Sequence, residues 1–214
     1  MPPGKRVIPT ASRATPGEKS PPAQPGSGGP GPGGTASPSV VSGTGAYTVS
    51  GGIAHKARGT VSAASTDESG VLAKVSSRLE LTDVKVSTTD NSSSSDDSSF
   101  YGLDAGVLAF SRSAIKESGG SVTTTGNGAN AVFAYGSGSS IAIDRTKVTA
   151  TGQYAHGIMA SGGGSIKATD LEVTTAGASS AAVATDRGGG TITVIGGPTG
   201  PRATTPRASI RPGP

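Results

Sequence analysis

The chain repeats one short apolar pattern along most of its length. Each copy opens with a run of three apolar residues that ends in alanine, and those alanines stand at positions 73, 109, 134, 160 and 184. The steps between them are 36, 25, 26 and 24 residues. Periods of this size are typical of solenoids, propellers and repeat arrays. The repeat therefore excludes most compact single-core folds before any other property is considered.

Three apolar runs of two to four residues make up each copy, and Gly, Ser, Asn or Asp separates them. Runs of this length rich in Val and Ile read as strands, and they lack the i, i+3, i+4 spacing of a helix face. A propeller blade would need about 40 residues and four strands. Three strands in about 25 residues predict an all-β fold, a right-handed parallel β-helix (β-solenoid) of about five coils. Successive coils would stack at roughly 4.7–4.9 Å.

The second strand of each copy gives the strongest support for this prediction. In Ile141-Ala142-Ile143 the two isoleucines would face inwards and the alanine outwards, because side chains alternate along a strand. The next copies, Ile166-Lys167-Ala168 and Ile192-Thr193-Val194, keep the same alternation. Aliphatic residues thus stack on aliphatic residues, and the charged one faces water.

Composition sets the boundaries of the repeat. Residues 1–42 are rich in Pro and Gly and residues 198–214 in Pro and Arg, so we expect both to be disordered tails. The β-helix would occupy 43–197, with 43–63 as an irregular N-terminal coil or cap. The step of 36 is explained by a polar loop insertion at 91–101.

The net charge of +4 belongs to the tails, because residues 1–38 and 198–214 each carry +3 and leave the repeat region at −2. This balance argues against a nucleic-acid partner.

There is no Cys, and no stretch is apolar enough for a signal peptide or a membrane span. A misplaced start codon, an internal piece of a longer repeat protein and an out-of-frame C-terminal tail are open hypotheses. An uncapped last coil also predicts end-to-end or edge self-association.

Stacked threonines form the first candidate site. The repeats should align Ser87 with a column of threonines and place a second column two residues later; the candidate array is Thr123, Thr125, Thr149, Thr151 and Thr174. Flat outward threonine arrays are how several ice-binding solenoids present their face. Threonine is also simply a good strand residue beside a turn, and that alternative stays open.

Acidic residues form the second candidate. Glu117, Asp144 and Asp170 follow the second strand in successive copies and could form a calcium-binding column, or three solvated turns in which the carboxylate bonds its own backbone. Otherwise the chain predicts no cofactor.

The insertion supplies the third candidate, a binding surface of Asp96, Asp97, Phe100 and Tyr101. Its two aromatic rings follow the Ser-Asp run and would form an exposed patch with it. His55 and His156 read as turn or surface histidines, and Phe133 as a core residue.

Residues 131–197 carry the runs Gly-Gly-Gly-x-Ile, Val-Thr-Thr-x-Gly and Ala-Thr-Asp-Arg-Gly-Gly-Gly-Thr-Ile-Thr-Val. In these motifs the chain resembles adhesin-like right-handed parallel β-helix proteins, a group similar to pectate-lyase-like solenoids and autotransporter passenger domains. The resemblance covers roughly residues 43–197. It implies a secreted or cell-surface scaffold without a catalytic site, with extracellular glycans or proteins as partners. A polysaccharide lyase or hydrolase is the alternative function, and an ice-binding protein is the second alternative.

Overall fold

The computed structural model describes residues 43–197, which form an all-β parallel β-solenoid of about six turns. Each complete turn contributes one strand to each of three parallel sheets, named A, B and C in chain order. Turns 1 to 3 hold β1 (Gly45–Ser50), β2 (Ile53–Ala57), β3 (Thr60–Ala63), β4 (Ser69–Lys74), β5 (Arg78–Thr82), β6 (Lys85–Thr88), β7 (Val107–Ala109), β8 (Ala114–Ser118) and β9 (Ser121–Thr124). Turns 4 to 6 hold β10 (Val132–Tyr135), β11 (Ser140–Asp144), β12 (Lys147–Ala150), β13 (Ile158–Ser161), β14 (Gly164–Thr169), β15 (Glu172–Thr175), β16 (Val183–Thr185) and β17 (Gly190–Ile195).

The strand register confirms that inward aliphatic residues of successive turns stack on one another. In sheet A, Val132 pairs with Val107 on one side and with Ile158 on the other, and all three are at most 1% exposed. In sheet B, Ile141 pairs with Ile115 and Ile166, which are equally buried. The core is therefore a thin column of aliphatic files enclosed by the three sheets.

The first turn corrects the prediction of about five coils and an irregular cap. Residues 45–63 form three regular strands that pair with β4, β5 and β6, so this segment is a complete turn. Its sequence looked irregular because two of its inward positions carry Tyr47 and Lys56 in place of aliphatic residues. The Lys56 ammonium lies 5.1 Å from the centre of the Tyr47 ring. Within the described residues, this cation–π pair covers the first end of the column.

In the last turn the strand pairing is shifted by one residue from the alignment of the repeat copies within the sequence. Ala160 pairs with Thr185, so the closing position of the sixth turn is Thr185 and not Ala184. The inward-register residues of this turn are more exposed than those beneath them, with Val183 at 47% and Val194 at 53%. The predicted tails, 1–42 and 198–214, lie outside the described residues.

The insertion contains a short helix, α1 (Ser95–Tyr101), where a loop was expected. The Ser94 hydroxyl caps it by accepting a hydrogen bond of 3.1 Å from the Asp97 amide, and Gly102 ends it in the left-handed region. The helix contributes Tyr101 to a second apolar cluster on the outer face of sheet A. The buried members of this cover cluster are Leu72, Ala105, Leu108, Phe133 and Met159.

The corner between sheets C and A explains the glycine that closes each Val-Thr-Thr-x-Gly run. A Cβ on Gly152 would lie 1.9 Å from the Gly126 carbonyl oxygen, so only glycine allows the backbones to approach this closely. At the next position the Asn127 side-chain oxygen accepts from the Gln153 amide at 2.9 Å, and Asn91 does the same for Asn127 at 2.8 Å. Side-chain amides thus satisfy backbone donors from turn to turn.

Candidate functional site

A shallow groove of about 560 Å³ runs along the outer face of sheet B. Two outward files of side chains line it, and its lining extends from Ile53 in turn 1 to Thr193 in turn 6. At the stacking distance of adjacent strands, six turns span about 24 Å. The files are Ile53, Arg78, Ala114, Ser140, Ser165 and Thr191, and His55, Glu80, Lys116, Ala142, Lys167 and Thr193.

The floor of this sheet B groove is made of small residues where the turns are most regular. Ala114, Ser140, Ala142 and Ser165 occupy outward positions in turns 3 to 5. Each of these side chains projects little from the sheet, so an elongated ligand can approach the strands closely there. A smaller extension of about 170 Å³ continues sideways from Lys116 and Lys167 towards Ser118, Asp144 and Thr169.

The charges of the groove are unlike those of the rest of the solenoid. The groove holds Arg78, Lys116 and Lys167 with Glu80, whereas residues 43–197 as a whole carry eleven Lys and Arg against thirteen Asp and Glu. Within the described part of the chain, Arg78 and Lys167 have no ion-pair partner. The sheet B groove is therefore a cationic strip on an acidic scaffold.

One ion-pair network crosses three turns inside the groove. The Lys116 ammonium lies 2.6 Å from one oxygen of Glu80, and the other oxygen lies 3.0 Å from Nδ1 of His55. The bond to Lys116 is the main reason that the pKa of Glu80 is below its ordinary value. All three groups are exposed, so the network contributes little to stability. It does fix the lateral positions of the Lys116 and His55 side chains on the groove surface.

The predicted surface on the insertion differs from the expected exposed aromatic patch. Asp96 is exposed, but Asp97, Phe100 and Tyr101 are half-buried. The Tyr101 ring packs edge-on against Tyr135, with 5.4 Å between ring centres, and the Arg187 guanidinium lies 3.7 Å above the Phe100 ring. Tyr101 therefore packs on sheet A and Phe100 packs against Tyr101 and Arg187, and ligand binding at this surface stays a prediction.

The first predicted threonine column lies in sheet C, and Thr125 and Thr151 of the second follow the ends of β9 and β12. The register aligns Thr123, Thr149 and Thr174, and Ser62 and Ser87 extend this file. In the second column Thr125 and Thr151 are exposed, and the amide of each donates to a carbonyl of the preceding turn. On the other side of the array is a file with the charged residues Lys85, Lys147 and Glu172. Ice binding by this face stays a prediction.

The predicted calcium column is wrong in its register. Asp144 pairs with Ser118 and Thr169, and Asp170 lies one position further along, at the following corner. Glu117 pairs with Leu81 and Ile143 and faces the core. Across residues 43–197 no three His, Cys, Asp or Glu side chains come together as metal ligands.

Within residues 43–197, two buried carboxyl groups have no hydrogen-bond partner for either oxygen: Glu117, which was predicted as part of the calcium column, and Asp104, for which no role was predicted. Glu117 and Asp104 are each 1% exposed. Burial raises the pKa of Glu117 to about 8. Burial, followed by repulsion from Asp67, Asp90 and Glu68, raises the pKa of Asp104 to about 8. A signal for Glu117 was present, because Ile115-Lys116-Glu117 places an acid where Ile141-Ala142-Ile143 has its second isoleucine.

Comparison of the chain with protein-family models, with curated proteins and with solved structures found no match. The parallel β-solenoid therefore rests on the structure, and the adhesin-like resemblance stays a prediction. In the described residues, no helix has the length and apolar character needed to cross a membrane.

Proposed function

We propose that this protein is a non-catalytic ligand-binding module that works outside the cell or on its surface. Its ligand is an extended acidic polymer, and an acidic glycan fits best. The observation that carries this proposal is the row of Arg78, Lys116 and Lys167 along a groove that follows the solenoid axis. The resemblance to adhesin-like solenoids supports the location.

The shape of the groove favours a chain-like ligand over a small molecule. The sheet B groove is about 24 Å long, which is longer than a single sugar or nucleotide. It is shallow and open, so it does not enclose a small ligand. Each turn presents a similar pair of outward positions, so a polymer with a regular repeat meets regularly spaced contacts.

The chemistry of the groove favours acidic glycans over other polymers. No Phe, Tyr or Trp lines it to form a platform for stacking nucleic-acid bases or the faces of neutral sugars. Lys and Arg bind carboxylate and sulfate groups, and Ser140 and Ser165 supply hydroxyls that both donate and accept. Inner strands of sheet B have their backbone groups paired on both sides, which leaves no edge along the floor for an added peptide strand.

Charge reversal in the groove tests the proposal. We expect R78E/K167E to weaken binding of polygalacturonate or heparin at least about tenfold, since each reversal replaces an attraction by a repulsion. K85E/K147E is the matched control, because it makes the same charge change on sheet C and should alter affinity less than about twofold. Dextran, a neutral polymer, should not bind. Equal affinities of R78E/K167E and K85E/K147E would refute the groove as the binding site.

A carbohydrate-active enzyme is the second candidate, and the His55–Glu80 pair favours it. A carboxylate bound to one imidazole nitrogen fixes the ring and its tautomer, which is how a general base is oriented. A lyase or hydrolase of this kind would release product from the bound polymer, and His55→Ala would abolish that release while leaving binding within a few-fold. Binding without any product favours the adhesin-like module.

A further inference from the structure

An unpaired acid lies in the core directly behind the sheet B groove. Glu117 occupies an inward position of β8, in register with Leu81 of β5 and Ile143 of β11. It is 1% exposed, and neither of its carboxyl oxygens has a hydrogen-bond partner. An ionised carboxylate in such a place would lack both water and a counter-charge.

No charged group faces Glu117 from the strands packed around it. The inward residues of the neighbouring strands are aliphatic in β5 and β11, and in the same turn they are Val107 and Ala109 of β7 and Val122 and Thr124 of β9. The other charged residues of β5, β8 and β11 face outwards, and they are Arg78, Glu80, Lys116 and Asp144. The folded state therefore holds Glu117 in its neutral form.

We propose that turn 3 is a pH-sensitive element of the groove, which loosens when Glu117 loses its proton and so releases the bound acidic polymer above neutral pH. This inference rests on the proposed function for its ligand and on the core geometry for its switch.

The coupling follows from strand alternation. Lys116 precedes Glu117 on β8, so one residue faces the groove while the other faces the core. A charged Glu117 can reach water only if β8 rotates or leaves its register, and a slip of one residue exchanges the two faces of a strand. Either movement displaces the Lys116 ammonium and breaks its 2.6 Å contact with Glu80. The same event that hydrates the acid thus removes a cation from the groove.

The direction of the pH effect follows from proton linkage. Burial raises the pKa of folded Glu117 from 4.5 to about 8. The stabilising contribution of the neutral acid is therefore complete below about pH 4.5 and is lost as the pH rises through 8. Between these limits the opened state binds fewer protons than the closed state, so the opening equilibrium increases by about tenfold per pH unit.

Hydrogen exchange tests the switch without any ligand. Protection factors for the β8 and β11 amides, measured in the full chain between pH 5 and pH 9, should fall by more than about tenfold in the wild type. In Glu117→Leu, which restores the aliphatic file, and in Glu117→Gln, which cannot ionise, they should fall much less and keep only the pH dependence that Asp104 contributes. The amides of β15, which lies two turns away from Glu117 in sheet C, serve as the internal control. Equal pH dependence in wild type and both variants overturns the switch.

Polygalacturonate binding by the same three proteins tests the coupling. Wild-type affinity should fall at least about fivefold more than that of Glu117→Leu between pH 6 and pH 9. Identical profiles would overturn the coupling even if the exchange data support the switch. Absence of binding by all three proteins at pH 5 would instead refute the proposed function, and the exchange data would still decide whether turn 3 responds to pH.

Discussion

The outer faces of sheets A and B share one architecture and present opposite surfaces. In sheet A the central outward file reads Leu72, Leu108, Phe133 and Met159, and it is buried. In sheet B the corresponding positions carry Lys116, Ala142 and Lys167, which are exposed. The repeat alone therefore does not decide which faces are covered. The residues at the outward positions decide it, together with one insertion.

The insertion and the aromatic residues act together on sheet A. Tyr101 from α1 and Phe110 both pack against Tyr135, and the Ser161 hydroxyl donates to the carbonyl of Phe100 at 2.5 Å. Apolar outward residues would otherwise form a large exposed patch. No element covers sheet B within residues 43–197, and its outward residues are polar, charged or small except Ile53 and Ile195 at its two ends.

The largest expected effect comes from removing the central ring of the cover cluster. Phe133→Ala should lower the free energy of unfolding by about 3–5 kcal/mol, because a fully buried aromatic ring leaves a cavity. Lys167→Ala on sheet B should change it by less than about 0.5 kcal/mol. Urea unfolding of both variants measures this. Similar losses in the two variants would show that the sheet A face is not a second core.

The next effect concerns Asp104, which is adjacent to Ala105 of the cover cluster. Its pKa rises on folding from 3.8 to about 8, mainly through burial and then through repulsion from nearby acids. Folding stability should therefore fall as the pH rises from 4 towards 8, and by pH 7 we expect a loss of about 4 kcal/mol. Asp104→Asn cannot ionise and should remove that part of the pH dependence in urea unfolding. An unchanged profile would place the Asp104 carboxyl in water.

The smallest effect tests how firmly α1 is held on sheet A. Ser94→Ala removes the side-chain acceptor for the Asp97 amide and should cost about 1 kcal/mol. Ser95→Ala is the matched control, because its hydroxyl is in an exposed residue within the helix and the change should be neutral within about 0.5 kcal/mol. A cost in Ser95→Ala equal to that in Ser94→Ala would contradict the capping role.

The sequence predicted the solenoid and most of its registers, because an aliphatic file leaves a direct trace in a periodic sequence. Val107, Val132 and Ile158 could be aligned without coordinates. Tyr47 and Lys56 could not be read as inward residues, because the end of a column tolerates side chains that its middle excludes. The last turn was aligned one residue early, because Ala184 was matched to the closing alanine of the other copies. In the structure Thr185 occupies that position.

The candidate site was harder to predict than the fold. The groove depends on outward residues, which vary from turn to turn. No spacing rule distinguishes the outward Lys167, which is exposed on sheet B, from the outward Met159, which is buried in the cover cluster on sheet A. Aromatic residues suggested a binding patch at Phe100 and Tyr101, yet packing against sheet A uses the same residue types. Glu117 was grouped with Asp144 because both are acidic and close to a strand end, although the alternation of the strand separates them.

The paired registers between turns also define how such a molecule can grow. Each unit of about 25 residues carries its own floor segment and its own contacts to the unit below, so duplication of one unit would extend the trough by about 4.8 Å without rebuilding the rest. The length of polymer that the groove can contact would then increase in proportion to the number of units. For the acidic polymer that we propose as ligand, avidity would then rise with the number of units.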